Sequence, residues 1–324
     1  MNVHARALAK AYAFDEQTAA FADDVIGQLA QHPKRLSPKY FYDATGSELF
    51  EQITVLPEYY PTRTELGILR DRGAEIAAII PAGAALVEFG AGATTKVRLL
   101  LEHCEFGAYV PVDISGDFLN AQAEGLRKDF PGLRVYPVAA DFTAPFTLPA
   151  EIAEMPKVGF FPGSTIGNFE PQEATDLLRT AREILGAGAQ MIIGVDLEKD
   201  ERTLYDAYND AAGVTARFNL NVLERINREL GGNFDLSGFM HRSVYNRDRH
   251  RIEMHLISRK AQSVRVLGHR FSFRPGESIH TESSYKYSFD RFAALAQTSG
   301  WQVKESWTDK ARMFSVHALT ASAQ

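Results

Sequence analysis

From Ala84 to Asp196 the sequence alternates between short apolar runs and longer stretches of helical periodicity. The spacing predicts strands at Ala84–Phe89, Ala108–Asp113, Arg134–Ala140, Val158–Pro162 and Gln190–Val195, and helices at Thr95–His103, Asp117–Phe130 and Pro171–Leu185. Strands and helices that alternate in this way form a parallel sheet with helices on both faces, because each parallel crossover needs a connecting helix. Such sheets bind ligands beyond the carboxyl ends of their strands. The first predicted strand runs directly into "LVEFGAGATTK" (86–96), so a glycine-rich turn falls where a ligand is expected.

The rest of the chain has a different pattern. Residues 1–60 read as helical or irregular, 201–230 as one long helix, and Phe239–Tyr245, Arg251–Ser258 and Ser263–Phe273 as strands. A helix at Asp290–Thr298 and strands at Trp301–Trp307 and Met313–Leu319 close the chain and complete the αβ sheet. The expected fold class is therefore α/β. A Rossmann-like domain (61–200 and 287–324) is interrupted by an inserted α+β domain (1–60 and 201–286).

Composition excludes several classes of function. A net charge of −6 without a long basic run argues against nucleic acid as the main partner. Thr62-Arg63-Thr64 and the patch Arg247–Arg251 read as solvated surface. One cysteine, Cys104, permits no intramolecular disulfide and no multi-cysteine zinc site, and reads as an inert thiol. The nine histidines show no metal-binding spacing, so no metal is expected. The N-terminal segment has no apolar core for a leader peptide. The apolar stretch Ala77–Val87 is well short of the ~20 residues that span a bilayer. We expect a cytoplasmic monomer that engages neither membrane nor nucleic acid.

Three features of the turn bear on its ligand. Gly90 and Gly92 carry no Cβ and let the backbone approach a ligand closely. Asp113 ends the next strand, 21 residues after Gly92, where a carboxylate can accept from both ribose hydroxyls. Thr95 stands where a dinucleotide turn has its third glycine, which removes the close helix approach that favours a pyrophosphate. Asp141-Phe142, after the third strand, supplies an acid and a ring suited to adenine. This combination points to S-adenosylmethionine, a nucleoside without phosphate. A nicotinamide-dependent oxidoreductase is the reading from another class, and it requires the missing glycine.

The blocks "KYFYDATGSELFEQITVLPEYYPTRTE" (39–65), "FPGSTIGNFEP" (161–171), "YNDAAGVTARFNLNVLERINREL" (208–230) and "RIEMHLISRKAQSVRV" (251–266) resemble the histidine Nα-methyltransferases of ergothioneine biosynthesis. The resemblance runs from about residue 20 to the C-terminus. It implies a class I methyltransferase domain and a substrate-binding insertion. The implied reaction is trimethylation of the α-amine of L-histidine to hercynine, with tryptophan or another amino acid as the alternative substrate within the wider family. Carried over by motif, Gly90, Lys96, Asp113, Asp141 and Phe142 contact S-adenosylmethionine. Tyr59, Asn168, Tyr208, Glu282 and Ser284 hold the amino acid, with Met254 beside its side chain. Relatives with "GSGT" in the turn have two hydroxyls that are absent here, where Gly90-Ala91-Gly92-Ala93 stands.

These roles make chemical sense. Asn168 and Tyr208 can donate to an α-carboxylate. Glu282 and Ser284 lie two apart, on one side of an extended segment, and could grip one imidazole. Tyr42 and Tyr59 offer phenolic oxygens to the amine and ring faces to a methylated cation. Tyr42 is the candidate catalytic group, orienting the amine first and acting as a base second.

Overall fold

The computed structural model describes residues 12, 14–114 and 116–322. The N-terminal residues 1–11, part of the segment read above as lacking a leader's apolar core, lie outside the described residues. The chain divides into two compact units, Met1–Tyr60 with Asp200–Ser284 and Pro61–Lys199 with Tyr285–Gln324.

The second unit is built on an eight-stranded sheet. Its spatial order is Trp301–Thr308, Phe314–Ala321, Gln190–Asp196, Lys157–Phe161, Ala85–Phe89, Ala108–Asp113 and Arg134–Val135, with Val138–Ala139 also pairing to Ala108–Asp113. Ala85–Phe89 runs parallel to both neighbours, and Val87 sits between Val110 and Gly159. From this strand the chain first builds outward through Ala108–Asp113, then returns to the opposite side at Lys157–Phe161. The order reverses there, and that is where α/β sheets open a crevice at their carboxyl ends. Alternate residues of the strand enter two cores. Ala85, Val87 and Phe89 join Phe161, Ile193 and Trp301 on one face, while Leu86 joins Leu69, Val97 and Phe160 on the other. The helix Pro171–Leu185 matches its predicted bounds. A Glu170–Glu173 capping box and Pro171 start it, and Gly186 at φ +87° ends it.

The first unit has a four-stranded sheet in the order Lys34–Arg35, Ser278–Tyr285, Arg251–Ser258, Phe239–Asn246. The helix Val214–Leu230 buries Phe218, Val222 and Ile226 in this unit.

Four expectations need correction. The predicted helix 201–230 is two helices, Glu201–Tyr208 and Val214–Leu230. Asp210 caps the second by accepting from the N–H groups of Val214 and Thr215, both at 2.8 Å, and Gly213 turns at φ +67°. The predicted strand Ser263–Phe273 is a hairpin whose two-residue loop, Leu267-Gly268, has positive φ at both positions. Arg134–Ala140 is two short strands around Tyr136-Pro137, and proline has no N–H for the ladder. Arg251, read as solvated, is 3% exposed and pairs with Glu253 at 2.8 Å.

Asp43, inside the first of the quoted blocks, organises part of the first unit. Its carboxylate caps the helix Ala44–Thr54 through the Gly46 N–H (2.7 Å), accepts from Asn221 Nδ2 (2.7 Å) and pairs with Arg228. Burial opposes ionisation, but the Gly46 N–H, Asn221 and Arg228 outweigh it and hold the carboxyl below its usual range. A depressed carboxyl stabilises the fold above its unfolded value of 3.8 and ceases to do so on acidification through its folded value. Asp43→Ala is therefore expected to lower stability by about 2 kcal/mol near neutral pH. The difference from wild type should shrink toward pH 3 in urea unfolding, and a pH-independent difference would refute the charge contribution.

Candidate active site

In the second unit the strand Ala85–Phe89 ends in a turn closed by one carbonyl. Val112 O accepts from both the Gly90 N–H (2.9 Å) and the Ala91 N–H (3.0 Å). Gly90 stands at φ +74°, and a Cβ there would lie 3.2 Å from the Phe142 ring. That ring meets Phe161 and Phe169 edge-on, at 5.8 and 6.5 Å between centroids. Gly92 differs: a Cβ there would meet nothing within 4 Å, so no neighbour in the chain requires glycine at this position. Asp113 is half-buried at the end of its strand, and Asp141 is exposed. Asp141 Oδ1 accepts from the Thr143 N–H (2.9 Å) and hydroxyl (2.5 Å). The turn glycine, the ring, the strand-end carboxylate and a second acid thus lie on successive strand ends. This donor set suits a nucleoside: carboxylates for ribose hydroxyls and an amino group, a ring for a base, and a cradle that a Cβ would fill.

Lys96 and Asn168 lie in the same unit. Lys96 Nζ is 2.7 Å from Glu65 Oε2, and Glu65 is 1% exposed. Asn168 is half-buried at the end of the 3-10 turn Thr165–Asn168, which follows Ser164 in a left-handed conformation. The Ser164 hydroxyl accepts from the Asp196 N–H at 2.9 Å.

In the sequence, Glu88 stands just before the glycines, a place that suits a positively charged cofactor tail better than a phosphate. It is 3% exposed, and Tyr109 donates to its Oε2 at 2.5 Å. Burial pushes its carboxyl up to about 7; Tyr109 and Lys96 pull it down, while Glu65 and Asp113 push it up. Its position before the glycines is the one signal the sequence offers.

The first unit assembles the aromatic and amino-acid candidates. Tyr208, 8% exposed, donates its hydroxyl to Ser284 Oγ at 2.8 Å. Tyr59 stands edge-on to Tyr208 at 6.4 Å and to Phe50 at 6.3 Å. Tyr42, 40% exposed, meets Phe50 at 5.5 Å and Phe218 at 5.6 Å. Phe50 and Phe218 were not singled out in the sequence; their apolar character marks core residues equally well. Glu282 is 8% exposed and Ser284 4%, within a run buried at every position from Thr281 to Tyr285. Glu282 is therefore a buried carboxylate and not an exposed surface acid.

A polar network fixes the strands carrying these residues. Thr281 donates to Asn219 Oδ1 (2.7 Å) and to the carbonyl of Met254 (3.1 Å). Asn219 Nδ2 reaches His241 Nδ1 at 2.9 Å, and His241 Nε2 reaches the Tyr208 carbonyl at 2.9 Å. An amide donor on Nδ1 and a carbonyl on Nε2 define a neutral imidazole with its proton on Nε2. Burial lowers the His241 pKa in the same sense. Met254 itself is 1% exposed.

Among the described residues, no group of three or more His, Cys, Asp or Glu could hold a metal ion. Cys104 is half-buried, and burial raises its thiol pKa.

A family model described as histidine-specific methyltransferase, SAM-dependent, matches residues 21–321. The chain is 42% identical over 320 residues to the histidine N-alpha-methyltransferase of Mycolicibacterium smegmatis, covering 95% of this chain and 97% of that one. It is 40% identical over 307 residues to the protein of the same name from Mycobacterium tuberculosis, covering 92% and 94%. Ergothioneine biosynthesis protein 1 of Neurospora crassa is 32% identical over 302 residues, which is 90% of this chain but 33% of that protein.

Glu88 generates a pH prediction. A carboxyl whose folded value is raised contributes stability below its unfolded value of 4.5 that is lost as pH rises through about 7. Relative to wild type, Glu88→Gln should therefore gain stability between pH 5 and pH 8. Urea unfolding at both values checks this, and a constant difference would rule out the buried-carboxyl account.

Proposed function

The chain belongs to the S-adenosylmethionine-dependent, histidine-specific methyltransferases, and from that premise we propose that it trimethylates the α-amine of L-histidine to hercynine, a step of ergothioneine biosynthesis. The observation that carries the choice of histidine is the buried strand holding Glu282 and Ser284, with Tyr208 bonded to Ser284. A carboxylate in so dry a place favours a ligand that brings an N–H, and an imidazole supplies one. Such a charge-assisted bond contributes roughly 1.5–3 kcal/mol, which a substrate lacking the donor would forgo.

The cofactor role falls to Gly90, Lys96, Asp113, Asp141 and Phe142, and the amino-acid role to Tyr59, Asn168, Tyr208, Met254, Glu282 and Ser284. When bound, S-adenosylmethionine supplies a methyl carbon activated by a sulfonium. Each transfer forms one N–C bond, breaks one S–C bond and releases one proton from the amine. An α-amine is mostly protonated near neutral pH, so the site must orient it and accept that proton. Tyr42 and Tyr59 carry hydroxyls for the first task, and the proposed route for the proton is a relay in which the exposed Tyr42 hydroxyl accepts it while passing its own proton to solvent. The later substrates are increasingly methylated cations. The ring cluster of Tyr42, Phe50, Tyr59 and Phe218 suits them, since aromatic faces hold such cations at ~0.5–2 kcal/mol each.

The proposed displacement assigns no role to a metal. No helix among the described residues is long and apolar enough to cross a membrane. We take the enzyme to work in the cytoplasm as a single chain.

Purified protein incubated with S-adenosylmethionine and a panel of free amino acids, with products read by mass spectrometry, tests the reading. Trimethylation of histidine is expected; methylation of tryptophan with histidine untouched would transfer the reading to that substrate. Glu282→Ala should reduce kcat/KM for histidine by at least about tenfold, as loss of a charge-assisted bond requires. Binding of S-adenosylhomocysteine should be nearly unchanged. An unaltered kcat/KM would remove Glu282 from its role.

A further inference from the structure

The carboxylate of Glu65 is divided between two partners. Its Oε2 lies 2.7 Å from Lys96 Nζ, and the Gly163 N–H donates to both of its oxygens at 2.9 Å. The surrounding backbone makes room for this arrangement. A Cβ at Gly194 would lie 2.1 Å from Glu65 Oε1, and a Cβ at Gly163 would lie 3.0 Å from Lys96 Nζ. Two side chains are thus absent where a buried acid and its lysine reach the loop 163–168.

Contacts at three points tie that loop to its neighbours. Gly163 turns at φ +82°, and Ser164 follows at φ 56° with its hydroxyl accepting from the Asp196 N–H. Gly167 packs so closely that a Cβ would lie 2.8 Å from the carbonyl of Tyr285, and Tyr285 donates to Glu170 at 2.6 Å. Asn168 is the last residue of the 3-10 turn held this way.

We propose that Glu65 is a positioning residue that couples cofactor binding at Lys96 to the setting of Asn168, and hence to histidine binding. The proposal rests on the reading that Lys96 contacts the cofactor and Asn168 the amino acid. An ammonium has three donors, so Lys96 can keep Glu65 while turning another N–H to a cofactor carboxylate. A buried carboxylate cannot release its cation without heavy cost, so ordering Lys96 orders Glu65 and with it the Gly163 N–H. The loop is then ordered before histidine arrives, and histidine binds without bearing that entropy. The coupling is reciprocal: histidine tightens cofactor binding by the same factor.

Calorimetric titration of histidine into the wild-type protein, with and without saturating S-adenosylhomocysteine, measures the coupling directly. We expect the Kd to fall at least about fivefold in its presence, the lower end of usual allosteric couplings. Glu65→Gln keeps an amide oxygen for Gly163 but lacks the charge that holds Lys96, and should reduce the factor below about twofold. This ratio is insensitive to a general loss of affinity. Equal coupling in both proteins, or none in wild type, overturns the proposal and leaves the histidine reading intact. Wild-type protein that binds S-adenosylhomocysteine but never histidine overturns the histidine reading, and this proposal with it.

A wild-type measurement covers a variant that fails to fold. Proline carbonyl-13C with glycine 15N labelling selects three amides, Gly132, Gly163 and Gly276. Saturating S-adenosylhomocysteine should shift the Gly163 resonance and slow its hydrogen exchange. An unmoved, equally exchanging Gly163 amide overturns the coupling.

Discussion

Every residue of Ala85–Phe89 is buried, with a parallel partner on each side and a core on each face. A strand so enclosed has all its freedom at its ends, and in a parallel sheet only the carboxyl end opens toward solvent where the strand order reverses. The structure concentrates its unusual features there: a glycine at positive φ, a carbonyl shared by two N–H groups, a phenylalanine ring 3.2 Å from where a Cβ on that glycine would sit, and a nearly dry glutamate. None of these would persist on a mobile loop. Glu88 needs Tyr109 from the neighbouring strand to satisfy it, and Gly90 needs Val112 from that same strand. The rigid sheet is the condition for the turn.

The first unit achieves the same end with polar rather than apolar restraint. Asn219, Thr281, His241, the Met254 carbonyl and the Tyr208 carbonyl form a chain of hydrogen bonds in which each donor meets an acceptor. Buried networks of this kind are costly when incomplete and rigidifying when satisfied. A slip of one residue in the strand Ser278–Tyr285 would take Thr281 from both of its acceptors and carry Glu282 and Ser284 with it. Register and the placement of Glu282 and Ser284 are therefore the same requirement.

What was legible in the sequence follows the range of the physics involved. Parallel strands announce themselves as continuous apolar runs, and caps such as Glu170 with Pro171 act within four residues, so the αβ unit could be read nearly element by element. The errors arose where a local breaker overrode periodicity. Asp210 and Gly213 divide a stretch whose apolar pattern continues on both sides, and Leu267-Gly268 folds a run that otherwise reads as one strand. The glycines, Asp113 and Asp141-Phe142 stand out in the sequence because each lies at or just past a strand end. Glu65 could not be paired with Lys96 or Gly163 from the sequence, since the partners are 31 and 98 residues away and join only through tertiary folding. Arg251 was misread for a different reason: its partner Glu253 is only two residues away, but the burial of both depends on the packed sheet, which a run of charged residues does not reveal.

Electrostatics also bears on which nucleoside suits the turn. Glu65, Glu88 and Asp113 influence one another there, and Lys96, the cation opposing them, is already paired to Glu65. A dinucleotide would bring a doubly charged pyrophosphate beside these carboxylates, with no third glycine to let a helix N-terminus approach it. Like charges at such range in a dry site cost several kcal/mol. A sulfonium nucleoside reverses the sign: it carries a positive sulfur and an ammonium against a single carboxylate, a net positive charge that suits an excess of acid. Burial is the main reason that the Glu88 carboxyl is pushed up to about 7, and Glu65 and Asp113 add to it. The turn that is one glycine short of a dinucleotide motif is thus also electrostatically matched to a cationic ligand.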